Sequence, residues 1–241
     1  MAWAVAVRGV SETTRKSYRA WLSTFCSWLI DVGYLKDSPM KDVKGNGKKR
    51  RTVERERLRS YYISTSDRKR IFEWFKQNSK PMLLCCYLVH YCLLRPREIA
   101  QLQVRHVELK NSMIYVPGFI AKNRTDAHIT MPDIVAKLML DLHFLEQPMD
   151  YYLFDCRTLT PGTHKGRGDQ FRGMWALMRE QLQLPDTVKL YNLKHTGITD
   201  MAEAMPERLV QKQARHHSIE MTERYIQEKA PEASQAIKKY K

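Results

Sequence analysis

The segment RHHSIEMTERY, Arg215 to Tyr225, sets three basic side chains in a row and a lone tyrosine nine residues after His216. Three other short segments carry complementary chemistry. LLRPREI holds Arg95 and Glu98, AKNRTDAHITMP holds Lys122, and LYNLKHTG holds Tyr191, Lys194 and His195. Cleaving a DNA phosphodiester without a metal calls for this mixture. A nucleophile attacks phosphorus, cations neutralise the charge building on the pentacovalent oxygens, and an acid protonates the departing oxygen. Arginine suits the second task because its planar fork holds two phosphate oxygens and never deprotonates. A tyrosine hydroxyl suits the first when the product must be a reversible ester, because a phenol leaves more readily than an alkyl alcohol.

These side chains need elements to aim them. Ser64 to Ser66 offer caps for a helix through RKRIFEWFKQ, and Pro81 opens the apolar helix MLLCCYLVHYCLL. Pro96 starts another at RPREIAQL, with Arg95 at its beginning and Glu98 three residues on to brace it. HVELKNSMIYVPG alternates around an Asn-Ser turn and AHITMP closes a third short strand, which puts Lys122 in a turn between strands. The remainder reads as helices: DIVAKLMLDLHFL, DQFRGMWALMREQL, LKHTGITDMAEAM, PERLVQKQAR and SIEMTERYIQ. The fold class is mainly α with a small three-stranded antiparallel sheet.

Upstream, residues 11–31 form an amphipathic helix with Ser11 as N-cap and Leu22, Phe25, Trp28 and Leu29 on one face, broken by DSPM. The stripe Trp21, Phe25, Trp28 reads as packing. Residues 44–59 are charged and poor in apolar side chains, a basic linker whose Lys48, Lys49, Arg50 and Arg51 fit DNA backbone as well as plain solvent.

The charge balance agrees with a polyanion partner: 41 Lys plus Arg against 26 Asp plus Glu give +15 over 241 residues. Nucleic acid is the first expectation, and an anionic membrane is disfavoured because no apolar run reaches spanning length. Five cysteines show no CxxC spacing and no signal peptide precedes the chain, which implies a reducing, cytoplasmic setting. Cys85, Cys86 and Cys92 read as small buried hydrophobes. The eight histidines form no metal-binding spacing, so neither metal nor cofactor is expected.

In order and spacing these segments resemble the tyrosine site-specific recombinases, the phage integrase family. That family's pattern runs G-L-R-x-x-E-L, a lysine in a β-hairpin, H-x-L-R-H, and a last block that opens L-G-H-S and ends T-x-x-Y, its tyrosine nine residues after the histidine. Leu94-Arg95-x-x-Glu98-Ile99 matches the first box and Lys122 the hairpin lysine. His216, Ser218, Thr222 and Tyr225 keep the last block, with Ala214-Arg215 in place of Leu-Gly and His217 in place of Ser. The second box departs: Tyr191-Asn192-Leu193-Lys194-His195 puts tyrosine where histidine is usual and lysine where arginine is usual. Lysine keeps the cation and loses the fork.

The resemblance implies an integrase-like DNA breaking-rejoining domain over residues 60–241. Residues 1–43 would be the end of a truncated helical core-binding domain, followed by the 44–59 linker. It implies that Tyr225 attacks the scissile phosphate to give a 3′-phosphotyrosyl ester, with Lys122 as acid for the leaving 5′ oxygen. Arg95, Lys194 and His216 would hold the phosphate oxygens, Tyr191 or His195 would assist proton transfer, and Arg215 and His217 would contact DNA. The implied partner is double-stranded DNA, bound in the nucleoid by a homotetramer whose protomers exchange C-terminal helices.

Taken singly, the residues admit plainer readings. Arg95 also suits a helix-end charge, Lys110 or Arg124 could be the hairpin cation, Tyr191 could be a core aromatic, and Lys194 with His195 could be a solvated face. Two rival functions share the pattern: a type IB-like topoisomerase, and a non-catalytic DNA-binding protein on a recombinase scaffold.

Overall fold

The computed structural model describes residues 12–41, 43 and 62–226, and the chain divides into two units, residues 1–50 and 51–241. Ser11 and the basic run with Lys48, Lys49, Arg50 and Arg51 lie outside the described residues.

In the first unit, α1 (Glu12–Asp31) is a single 20-residue helix. It ends at a turn where Gly33 takes φ 82° and Tyr34 N donates back to Leu29 O at 2.8 Å. This left-handed stop, which glycine adopts without steric cost, lies upstream of the DSPM segment expected to break the helix. The aromatic stripe is also corrected. Cys26 is buried, while Trp21, Phe25 and Trp28 are 68%, 53% and 53% exposed. Among the described residues of this unit no second element covers that face, and Phe25 and Trp28 stack on each other with centroids 5.9 Å apart.

In the second unit, α2 (Thr65–Asn78) begins where Ser64 Oγ accepts from Asp67 N at 3.1 Å. Ser79 closes it, donating its N–H to Phe75 O, and its hydroxyl caps α3 (Lys80–His90), which carries Pro81 in its first turn. Nearly every residue of α3 from Met82 to His90 is buried, the signature of a helix wrapped on all sides. Cys85, Cys86 and Cys92 are buried free thiols, and burial raises their pKa values.

A single helical turn, α4 (Pro96–Ile99), leads into the sheet. Strands β1 (Val107–Glu108), β2 (Met113–Val116) and β3 (Ala127–Thr130) pair antiparallel in the order β1-β2-β3. Ile114 opposes Val107 on one side and Ile129 on the other. Ile114 and Val116 point into the core, which fixes the register, because a one-residue slip would expose both.

The later helices are α5 (Asp133–Asp141), α6 (Arg172–Gln181), α7 (Asn192–Ala204), α8 (Glu207–Ala214) and α9 (Glu220–Ile226). The helix expected over DIVAKLMLDLHFL is interrupted: His143 takes φ 55°, and Phe144–Glu146 continue as a 3₁₀ turn. The main core draws on Phe75, Leu84, Leu88, Ile114, Phe154 and Trp175. A second small cluster joins Leu93, Ile198, Val210 and Ala214. It ties α7 and α8 to the segment just ahead of Arg95. No helix among the described residues is long and apolar enough to cross a membrane.

Candidate active site

Arg95 stands at the N-cap of α4 with extended backbone. Its N–H donates to Glu98 Oε2 at 2.9 Å, and its Nη1 donates to Glu98 Oε1 at 3.0 Å. The Glu98 carboxylate also accepts the backbone N–H of Lys122 at 3.3 Å and a hydrogen bond from Arg215 Nη2. One carboxylate, 1% exposed, therefore gathers residues from three distant segments. Burial would raise its pKa, but the charge and hydrogen bond of Arg215, followed by those of Arg95, hold it below the usual glutamate value.

Arg215 was expected among the basic residues lying along DNA. It is instead buried, with a side chain 5% exposed. It caps α8 in the left-handed region, φ 55° and ψ 46°, a conformation that costs a non-glycine residue about 1 kcal/mol. One guanidinium nitrogen reaches Glu98; the Nε and Nη1 of Arg215 are buried without a hydrogen-bond partner, as is Nε of Arg95. Unpaired buried donors are rare in folded proteins and call for an explanation.

Lys194, in the first turn of α7, was expected to hold phosphate oxygens. Its ammonium donates instead to the carbonyl oxygens of Leu93 at 2.6 Å and Ala214 at 3.4 Å. The side chain is almost wholly enclosed. Burial, then the nearby Arg95 and Arg215 charges, push its pKa well below the lysine value.

A cleft of about 610 Å³ opens beside this cluster, lined by Arg95, Glu98, Ile120, Lys122, Gly168 and Tyr191 among others. Lys122, rather than Lys110 or Arg124, is the hairpin cation on that wall. Tyr191 is partly exposed there and meets His195 edge-on, with ring centroids 4.9 Å apart. His195 is held neutral down to about pH 4, first by burial and then by the charge of Lys194. His216 also stays neutral to about pH 4, through burial and the charges of Lys194, Arg95 and His195. Its Nδ1 lies 3.0 Å from the buried Thr222 hydroxyl, which fixes the ring.

Thus Arg95, Glu98, Lys122, Tyr191, Lys194, His195, Arg215 and His216 share one region. His217 is exposed, and Tyr225 lies on α9, one helical turn beyond Thr222. Among the described residues no group of three His, Cys, Asp or Glu side chains is placed to hold a metal ion.

The sequence profile of the phage integrase family matches residues 62–232. The chain belongs to the phage integrase family of tyrosine recombinases. No curated protein sequence matches it significantly. Among solved structures, the Tn1549 transposon integrase in complex with transposon right end DNA superposes with a TM-score of 0.71 at 16% identity, over 93% of this chain and 78% of that one. A lambda integrase dimer bound to a core site gives 0.64 at 13% identity, over 92% and 76%. XerA recombinase gives 0.56 at 21% identity, over 68% of this chain and 59% of its own. At such identities the likeness is one of fold. This integrase-family chain departs from the motif pattern at both glycines: Leu93 and Arg215 occupy those positions, and both keep the positive φ a glycine would adopt.

Proposed function

We propose that the chain cuts and rejoins double-stranded DNA as a site-specific recombinase, through a 3′-phosphotyrosyl intermediate on Tyr225. One observation carries the reading. The Glu98 carboxylate draws Arg95, the Lys122 backbone and Arg215 together at a cleft. Two guanidinium groups on one buried carboxylate leave a surplus positive charge beside the cleft, and a second anion such as a phosphodiester balances it.

The Tyr225 oxygen attacks the scissile phosphorus and the bond to the 5′ oxygen breaks. Lys122, presented on the cleft wall, passes a proton to that oxygen. The phenolic proton of Tyr225 moves to a neutral acceptor; His195, neutral at ordinary pH, can take it, with Tyr191 beside it. His216, fixed by Thr222, donates to a non-bridging oxygen. A partner strand's 5′-hydroxyl then reverses the step, and the energy of the broken bond is kept in the ester.

In this reading residues 1–43 end a helical core-binding domain, the 44–59 run lies along the DNA backbone, and His217 touches phosphate at the edge of the site. Four protomers act on two duplexes, exchanging the segment after Tyr225. The test is a nicked duplex built on the sequence the protein selects from a randomised pool. The wild type is expected to form a covalent adduct and Tyr225→Phe none, with binding that weakens steeply as salt rises. An adduct undiminished by Tyr225→Phe, or none from the wild type, would sink the proposal.

A further inference from the structure

We infer that Arg215 supplies the second phosphate-binding guanidinium of this site and that Lys194 is its positioning residue. The inference rests on the recombinase reading above and names a residue for a role that the second box, with Lys194 in place of arginine, leaves vacant.

The geometry supports it in three steps. First, Arg95 and Arg215 flank one carboxylate, Nη1 of the former on Oε1 of Glu98 and Nη2 of the latter on Oε2. Each guanidinium is thereby oriented with most of its donors left over. Three of them, Arg95 Nε and Arg215 Nε and Nη1, are buried and unpartnered. A group serving only to neutralise Glu98 would bring one donor and would not carry two more into a desolvated place. A phosphodiester crossing its pentacovalent state offers the oxygens that such donors fit.

Second, the backbone at Arg215 is strained to keep this placement. The family pattern has glycine there, and Arg215 retains the glycine-like φ of 55°. Arg215 bears the cost of the left-handed region at the same position that carries two unpartnered buried donors.

Third, the Lys194 ammonium is already committed. Its two acceptors are the carbonyl of Leu93, two residues before Arg95, and that of Ala214, the residue before Arg215. Leu93 also holds positive φ. Lys194 thus pins both left-handed turns, from which the two arginines project. The two departures from the family pattern, lysine for arginine at 194 and arginine for glycine at 215, are in this account one exchange.

The experiment compares two suicide duplexes, both built on the selected sequence: one with a normal scissile phosphodiester, the other with a methylphosphonate there, which lacks the charged oxygen. On the phosphodiester, Arg215→Ala is expected to slow adduct formation by about 10²–10³-fold. On the methylphosphonate the deficit should shrink to within several-fold of the wild type, because there is no charge left to neutralise. Lys194→Met, acting through position, should be slowed alike on both linkages. Arg215→Lys keeps the charge and serves where Arg215→Ala does not fold. With the charge kept and the fork lost, it should lose less than Arg215→Ala on the phosphodiester and recover on the methylphosphonate. Equal deficits of the Arg215 variants on both substrates would overturn the inference while leaving the recombinase reading intact. So would rescue of Lys194→Met in place of Arg215→Ala. No wild-type adduct on the phosphodiester would overturn both.

Discussion

Lys194 Nζ lies 2.6 Å from the carbonyl oxygen of Leu93, inside a pocket that already holds the Arg95 and Arg215 charges. Such an ammonium serves geometry at the expense of stability: two hydrogen bonds are gained, while desolvation and like charge oppose the charged form. Lys194→Met is therefore expected to hold global stability within about 1 kcal/mol of the wild type while adduct formation falls. Because the folded pKa is depressed, the wild type should gain stability as pH rises toward the ordinary lysine value of 10.5. Urea melts of both proteins along that pH range check this, and Lys194→Met should lack the gain.

Glu98 behaves in the opposite way. Its carboxylate is the common partner of the buried Arg215 guanidinium and the half-buried Arg95 one. Glu98→Gln keeps the shape, replaces an acceptor by a donor and leaves both arginines facing each other unneutralised. The expected loss is about 3 kcal/mol, read from the denaturation midpoint. Adduct formation should fall with it, including at temperatures where the variant is folded. A Glu98→Gln protein as stable as the wild type would contradict the hub role.

Much of this was legible from residue order. The strand alternation around Ile114, the cap at Ser64, and the apolar run that became α3 each follow from local chemistry. The bracing of Arg95 by Glu98 followed from their three-residue spacing, and the placing of Lys122 beside them from the resemblance to the recombinase boxes. Arg215 was not legible as a member of the cluster, since a basic residue beside two histidines reads as a solvated surface. Its burial depends on a backbone conformation that pattern alone does not give and on Glu98, 117 residues away. The clue was the pair of complementary departures at 194 and 215, each unremarkable alone. The exposed face of α1 was misread because apolar periodicity reports what a helix can bury and says nothing of what is present to cover it.

Beside the second small core cluster, α3 and α7 approach closely. A Cβ added at Gly197 would stand 2.1 Å from the His90 carbonyl oxygen, backbone that cannot yield by a rotamer change. Gly197→Ala should push the two helices apart and cost about 3 kcal/mol. Since α7 carries Tyr191 at its start and Lys194 and His195 in its first turns, activity should fall along with the thermal midpoint. An unaltered midpoint would show that the packing is looser than this distance implies.

His90 supplies the pH dependence. Its ring is 4% exposed, and its Nδ1 faces the Leu193 carbonyl at 3.2 Å, so the neutral ring carries its proton there. Burial and the adjacent Arg68 charge lower its pKa to about 4, outweighing the Leu193 hydrogen bond and the charge of Asp200. Asp200 is in turn paired with Arg68 and accepts from Tyr62 at 3.2 Å, and at neutral pH its 3.6 Å approach to His90 is no ion pair. The folded value is depressed, so this contribution to stability is complete above about pH 6.5 and is lost as pH falls toward 4. A ring so placed accounts for up to about 3 kcal/mol over that interval. His195 and His216 titrate in the same window and add to the slope. His90→Gln, which keeps a donor for Leu193, should therefore flatten the stability profile between pH 6.5 and 4 without abolishing its slope. Thermal melts at half-unit pH steps would show it, and an unchanged slope would remove His90 from the account.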